Sequence, residues 1–155
     1  MTQPQARPSA LSGLELLSAI VAGAVPPPGF ATTLGIEPTD FSEGRAAFAL
    51  DPGPEHLNPL GAVHGGILST LLDSAMGSAI HTTLAAGETF TTVELSVRFV
   101  RPVRAGHGRA TAHAAVVHAG RRTATAEGRV LDEDGTLYAH ATTTCLIDRG
   151  PVQES

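Results

Sequence analysis

Asp73 is the residue whose setting most invites chemistry. Between Gly65 and Gly87 it is the only carboxylate, and His81 is the only other ionisable group. Asp is a poor residue for a helix interior, and a carboxylate in apolar surroundings is costly unless something binds it. Upstream, Asn58-Pro-Leu-Gly-Ala-Val-His64-Gly65-Gly66 leads directly into the same segment. The first N–H groups of a helix have no internal partner and carry partial positive charge. Gly65 and Gly66 let a ligand approach that backbone closely. An N–H there can polarise a carbonyl and stabilise an oxyanion, while Asp73 can serve as a base or a nucleophile. A purely structural reading competes: a hydrogen-bonded Asp at a subunit contact, and a Gly-rich helix entry capped by His64.

The elements that must position these groups can be read from periodicity. Apolar pairs at Ile67/Leu68, Leu71/Leu72, Ala75/Met76 and Ala79/Ile80 predict a long, largely buried helix over about 65–86. Gly66, Ser69, Asp73, Gly77 and Ile80 are expected to share one face. Asp73 lies eight residues beyond Gly65, about 12 Å along a helix axis. One substrate carbonyl cannot touch both on one straight helix. If both act, the second must come from another subunit, as in a two-fold dimer with antiparallel central helices.

Residues 11–21 predict a first helix, stopped by Pro26-Pro27-Pro28-Gly29. Short strands are expected at 30–37 and 44–50, joined by a turn over Thr39–Gly44. After the long helix, strands are expected at 91–100, 107–118, 123–131 and 136–147, with turns at Gly120-Arg121-Arg122 and Asp132-Glu133-Asp134-Gly135. In the first of these, Val93, Leu95, Val97 and Phe99 alternate with Thr92, Glu94, Ser96 and Arg98. One buried helix with about six strands gives an α+β layer arrangement, a helix wrapped by an antiparallel sheet.

The chain has 155 residues, a net charge of −5 and aromatics at only 4%. The charge speaks against nucleic acid as a partner. Few aromatics suggest a pocket shaped by Leu, Ala and Met. Cys145 is the only cysteine, and no apolar run nears the ~20 residues a membrane span needs. With no signal-peptide pattern at the start, a cytoplasmic location is expected. All ten basic residues are Arg, and no Asp or Glu falls between Arg98 and Arg122. Guanidinium groups in such a segment suit phosphate oxygens. The seven His residues show no metal-ligand spacing, so no metal is expected.

The set Asn58, Gly61, His64-Gly65-Gly66 and Leu72-Asp73-Ser74-Ala75, followed by Thr92–Pro102 and Gly120–Ala126, resembles the PaaI-type hotdog-fold acyl-CoA thioesterases, relatives of phenylacetyl-CoA and 4-hydroxybenzoyl-CoA thioesterases. The resemblance spans about Leu11 to Ile147. It implies a single hotdog domain over 11–147, with dimers paired into tetramers; outside it the chain itself reads as a disordered stretch at 1–10 and a loose tail at 148–155. By this resemblance Asp73 is the catalytic carboxylate and Gly65 the backbone donor to the thioester carbonyl, supplied by the partner chain, with Gly66 beside it. Asn58 and His64 match polar residues around the carbonyl and the attacking water. Thr92, or its neighbour Thr91, falls near a hydroxyl residue that assists the water. Arg101, Arg121 and Arg122 lie where relatives hold the phosphates of CoA. Some relatives carry a hydroxyl residue where this chain has Gly77. The substrate implied is an acyl-CoA, CoA being part of the substrate rather than a cofactor. Two other readings compete: a hotdog enoyl-CoA hydratase or dehydratase using His64 with Asp73, and a non-catalytic acyl-CoA binding protein.

Overall fold

The computed structural model describes residues 10–150. The expected disordered stretch at 1–10 lies outside them apart from Ala10, as does the tail beyond Gly150. The elements are α1 (Gly13–Val21), α2 (Gly29–Leu34), β1 (Ile36–Ser42), β2 (Arg45–Leu50), α3 (Gly65–His81), β3 (Thr89–Phe99), β4 (Ala110–Ala119), β5 (Thr123–Leu131) and β6 (Leu137–Asp148). All strand pairs are antiparallel, in the order β1-β2-β4-β5-β6-β3, so β1 and β3 are the edges. This is the expected α+β arrangement, with α3 lying across the sheet.

Small residues let α3 approach the strands. Leu71, Leu72, Ala75, Met76, Ala79 and Ile80 of α3 are fully buried, in one cluster with Ala112, Ala114, Ala124, Ala126 and Val130. At Gly128 of β5 a methyl group would come within 3.0 Å of Met76 Cγ, so the sheet is bare where the helix presses closest. A fully buried Leu contributes about 1.5–3 kcal/mol, and this Ala-for-aromatic packing is what the composition requires.

Three expectations need correction. Residues 29–34 form a helical turn rather than a strand. Phe30-Ala31-Thr32-Thr33-Leu34 has strand-like residues, but Pro28 caps the turn and Gly35, at φ 65°, closes it in the left-handed conformation. The strand starts only at Ile36. Secondly, Thr39 to Ser42 belongs to β1, and the turn is only Glu43-Gly44. An edge strand facing solvent carries polar residues, and so imitates a turn in sequence. Thirdly, α3 ends at His81, five residues early. Thr82 and Thr83 turn their hydroxyls onto the carbonyls of Ala79 and Ile80, satisfying groups that another helical turn would have used.

The expected tail is anchored over its described part. Asp148 ends β6, and Arg149 donates to Glu88 and to the carbonyls of Gly120 and Arg121. The Asp132–Gly135 turn is as expected: Asp132 Oδ1 accepts from the N–H groups of Asp134 and Thr136, and Gly135 sits at φ 81°.

α1 is fixed at its start in two ways. Ser12 and Glu15 form a reciprocal cap there. Gly13 rests on the end of α3, where a methyl group would lie 1.7 Å from the His81 carbonyl oxygen, and its N–H bonds to the Leu84 carbonyl. No other residue fits there, so this glycine sets how closely the N-terminal segment roofs the end of α3.

Candidate active site

Two concavities lie along α3, and the candidate residues divide between them. The first is a cavity of about 350 Å³. Its floor is α3, through Asp73, Ser74, Gly77, Ser78 and His81. The α1–α2 segment roofs it, and Phe90 and Thr92 of β3 close one side. Its walls include Phe30, Phe41, Phe48 and Phe90, four of the five phenylalanines in the chain. The Leu and Ala of the expected wall are present as Leu16, Leu17 and Ala31; Met76 instead lies on the sheet side of the helix, against Gly128. The expected helix face also shifts, since Ile80 is fully buried in the core and His81 takes its place facing the cavity.

Asp73 Oδ1 accepts a 3.0 Å hydrogen bond from the Thr92 hydroxyl. Oδ2 has no partner among the described residues and is not sealed from solvent. Of the two threonines, Thr91 is exposed and Thr92 makes the contact. A bulge explains how. Thr92 pairs with Cys145 and Glu94 with Thr144, which leaves Val93 as an extra residue. Strict alternation would put Thr92 on the opposite face from Val97 and Phe99. The bulge instead lets Phe90 and Thr92 before it, and Val97 and Phe99 after it, all face α3 or the core. Val93 itself is 59% exposed. Cys145 Sγ lies 3.8 Å from the Thr92 hydroxyl. Burial first, and then the charge of Asp73, push its thiol pKa up, so it remains protonated.

At Gly77 an added methyl group would lie 3.0 Å from the Phe90 ring. The aromatic wall thus crowds position 77, and a hydroxyl residue there would have to displace the Phe90 ring.

The second concavity, a more open groove of about 340 Å³, is bounded by Asn58, Gly65, Leu68, Phe99, Arg101 and Val103. His64 caps α3 by accepting the Gly66 N–H at Nδ1, 2.9 Å. The Gly65 N–H has no hydrogen-bond partner among the described residues, so the helix start offers one unused donor to the groove. Asn58 is largely committed: its Oδ1 accepts from the N–H groups of Leu60 and Ala62. Only its side-chain NH₂ remains to meet a ligand.

One chain therefore brings Asp73 and Thr92 together, and separately Asn58, His64, Gly65 and Arg101. It does not join the two sets. The arginines divide likewise. Arg101 donates to the Leu137 carbonyl at the start of β6, whereas the Arg122 carbonyl bonds the Ile147 N–H near its end. Nine residues of strand, about 30 Å, separate these ends. Arg121 and Arg122 are exposed on the β4–β5 turn, which Arg149 clamps. Arg109 is paired with Glu37 and Asp51, so the positive run in sequence is dispersed in space.

Sequence reasoning missed His56. It is 3% exposed, with Nδ1 accepting from the Gly53 N–H and Nε2 bonded to the Leu34 carbonyl at 2.7 Å. A carbonyl can only accept, so Nε2 carries the proton and the ring is the neutral tautomer. It ties the end of α2 to the loop that leads to Asn58.

The thioesterase superfamily profile matches residues 60–139. A Halobacterium salinarum protein named as an esterase is 32% identical over 131 residues, covering 81% of this chain and 84% of that one. The 1,4-dihydroxy-2-naphthoyl-CoA hydrolase of Listeria monocytogenes is 26% identical, covering 78% and 97%. Among solved structures, a point mutant of the phenylacetic acid degradation protein PaaI from Thermus thermophilus superposes with a TM-score of 0.70 at 33% identity, covering 77% of this chain and 98% of that one. The chain belongs to the thioesterase superfamily and has its PaaI-like hotdog fold. Thioester hydrolysis is the reaction class these matches support. No helix among the described residues is long and apolar enough to cross a membrane.

Proposed function

We propose that the protein hydrolyses an acyl-CoA thioester to the free acid and CoA, with Asp73 as the catalytic carboxylate and the helix start of a second copy completing each site. The observation that carries this reading is the Asp73 carboxylate at an apolar cavity, one oxygen held by Thr92 and the other open. The acyl group enters the cavity. The thioester oxygen takes the unused Gly65 N–H of the partner, strengthened by the partial positive charge of that helix end. Asp73 removes a proton from water as the water oxygen bonds to the carbonyl carbon. The carbon–sulfur bond then breaks, and the proton passes from Asp73 to the departing CoA thiolate. In the alternative route, Asp73 Oδ2 attacks the carbon itself, CoA leaves, and water cleaves the resulting anhydride.

Two features favour a second copy. Asp73 and Gly65 lie in separate concavities, and β3 is an edge strand with Val93, Leu95 and Phe99 exposed. An unpaired apolar edge is a ready surface for another strand. Pairing two such edges in a two-fold dimer brings the Gly65 end of one α3 toward Asp73 of the other. Arg101 beside Gly65, with Arg121 and Arg122 of the other chain, would then flank the CoA phosphates. Pairs of dimers and a cytoplasmic location complete the proposal.

The test is thiol release from a panel of acyl-CoA thioesters. Asp73→Asn is expected to lower turnover by roughly 10²–10⁴-fold while the protein remains folded and oligomeric. Wild-type turnover in Asp73→Asn would remove the carboxylate from the mechanism.

A further inference from the structure

The cavity holds a second polar feature that the hydrolysis itself does not use. His81 lies eight residues beyond Asp73 on the same helical stripe, about 12 Å along the axis, at the other end of the cavity floor. Its ring is held in place by packing. The ring centroid lies 5.5 Å from that of Phe90, and a methyl group on Gly13 would come within 2.6 Å of the His81 Cδ2 atom. Neither ring nitrogen has a hydrogen-bond partner among the described residues, and neither is sealed off. Beside it, one turn earlier, is Ser78. The hydroxyls of Ser69, Thr70 and Ser74 each bond to the carbonyl four residues back. Ser78 makes no such bond and also faces the cavity.

An imidazole and a hydroxyl without partners among the described residues, set beside Phe30, Phe90, Leu16 and Ile20, leave polar atoms that a ligand displacing water from the cavity must satisfy. We propose that His81, with Ser78, forms a specificity-determining subsite that hydrogen-bonds a neutral oxygen substituent at the far end of the acyl group. The inference rests on the acyl group occupying this cavity, as in the reading above. Allowing about 3 Å for contact at each end, the rise along the helix leaves roughly 6 Å along the axis between reacting carbon and distal oxygen, and more where the path is oblique. A hydroxyl suits the site better than a carboxylate. Burial holds the His81 imidazole pKa below its ordinary value, so near neutral pH the ring offers one donor and one acceptor rather than a positive charge.

The probes are thioether CoA analogues, which bind without turnover: S-hexyl-CoA against its ω-hydroxy counterpart, and S-phenethyl-CoA against its para-hydroxy counterpart. Titration calorimetry on the full chain is expected to give roughly tenfold tighter binding of a hydroxylated member. His81→Leu is expected to reverse that preference, Ser78→Ala to weaken it, and His81→Gln to retain part of it, with melting temperature and oligomer size checked for each. A wild-type preference below twofold in both pairs overturns the subsite, whether or not a variant folds. So does an unchanged preference in a folded His81→Leu. Thiol release is measured in parallel on the matching thioesters. Absence of hydrolysis with the binding preference intact would sink the hydrolase reading and leave the subsite standing.

Discussion

The two ends of α3 are built from opposite materials. At the Gly65 end the groove is open and backbone-rich, with an unused N–H, the Asn58 amide and Arg101 at its rim. Two turns further on, the Asp73 face is an aromatic box of four phenylalanines with one half-satisfied carboxylate. The first region suits the polar part of a thioester and its nucleotide. The second suits an acyl chain and a proton acceptor. A reaction at the junction of the two needs both, and the rise of one straight helix keeps them apart. Each chain thus holds two unlike halves, and the proposed reading has a working site join halves from different copies.

The most damaging change is the Asp73→Asn substitution already described, since it disables the aromatic half outright. Next in size is Gly65→Pro. Proline is tolerated at the first position of a helix and lacks the N–H that is unused here; its Cβ, like that of alanine, would meet the Phe99 ring at 3.0 Å. His64 before it, at φ −58° and ψ 134°, is in a conformation that a following proline accepts. Thiol release is expected to fall by roughly 10²–10³-fold, with Gly65→Ala as the control that keeps the N–H. Mixing the two disabled chains asks directly whether the halves come from different copies. A hybrid dimer has one site with an intact Asp73 and an intact Gly65, so co-expression should restore about a quarter of wild-type activity. No recovery in purified hybrid dimers would place both groups in one chain's site.

Thr92→Val probes the aromatic half more gently. It removes the only hydrogen bond to the Asp73 carboxylate among the described residues, and turnover is expected to fall about tenfold, with substrate affinity nearly unchanged. The smallest effect concerns shape. Gly77→Ser forces the Phe90 ring, 3.0 Å from the new carbon, to move. A loss of about 1 kcal/mol is expected, read as a drop of a few degrees in melting temperature, together with weaker binding of bulky acyl groups.

Much of the polar half was legible in sequence. Asn58, His64, Gly65 and Gly66 are contiguous or nearly so, and a helix start is a local structure with local signals. Asp73 stood out because an isolated charge among apolar residues is conspicuous in any window. The aromatic half was not legible. Phe30, Phe41, Phe48 and Phe90 come from α2, β1, β2 and β3, and only tertiary packing shows that they face one space. Composition pointed only part of the way: Leu16, Leu17 and Ala31 do line the cavity, but 4% aromatics is few for a chain and ample for one cavity. The bulge at Val93 was hidden because alternation in sequence continues through it, while the pleat does not. α2 was misread because propensity favoured a strand and two flanking residues, Pro28 and Gly35, decided otherwise.

The Gly13 contact has a bearing on how such a protein diversifies. The roof of the cavity, residues 13–34, is fastened near the end of α3 by a missing side chain and a backbone bond, and it lies outside the stretch matched by the superfamily profile. The carboxylate belongs to the core, and the ceiling above it belongs to an N-terminal arm. Changes in that arm can reshape what fits beneath it while leaving the sheet and the charged helix untouched. On the proposed reading, exchanges at the cavity-facing positions of this arm would shift which acyl groups fit, provided position 13 stays bare.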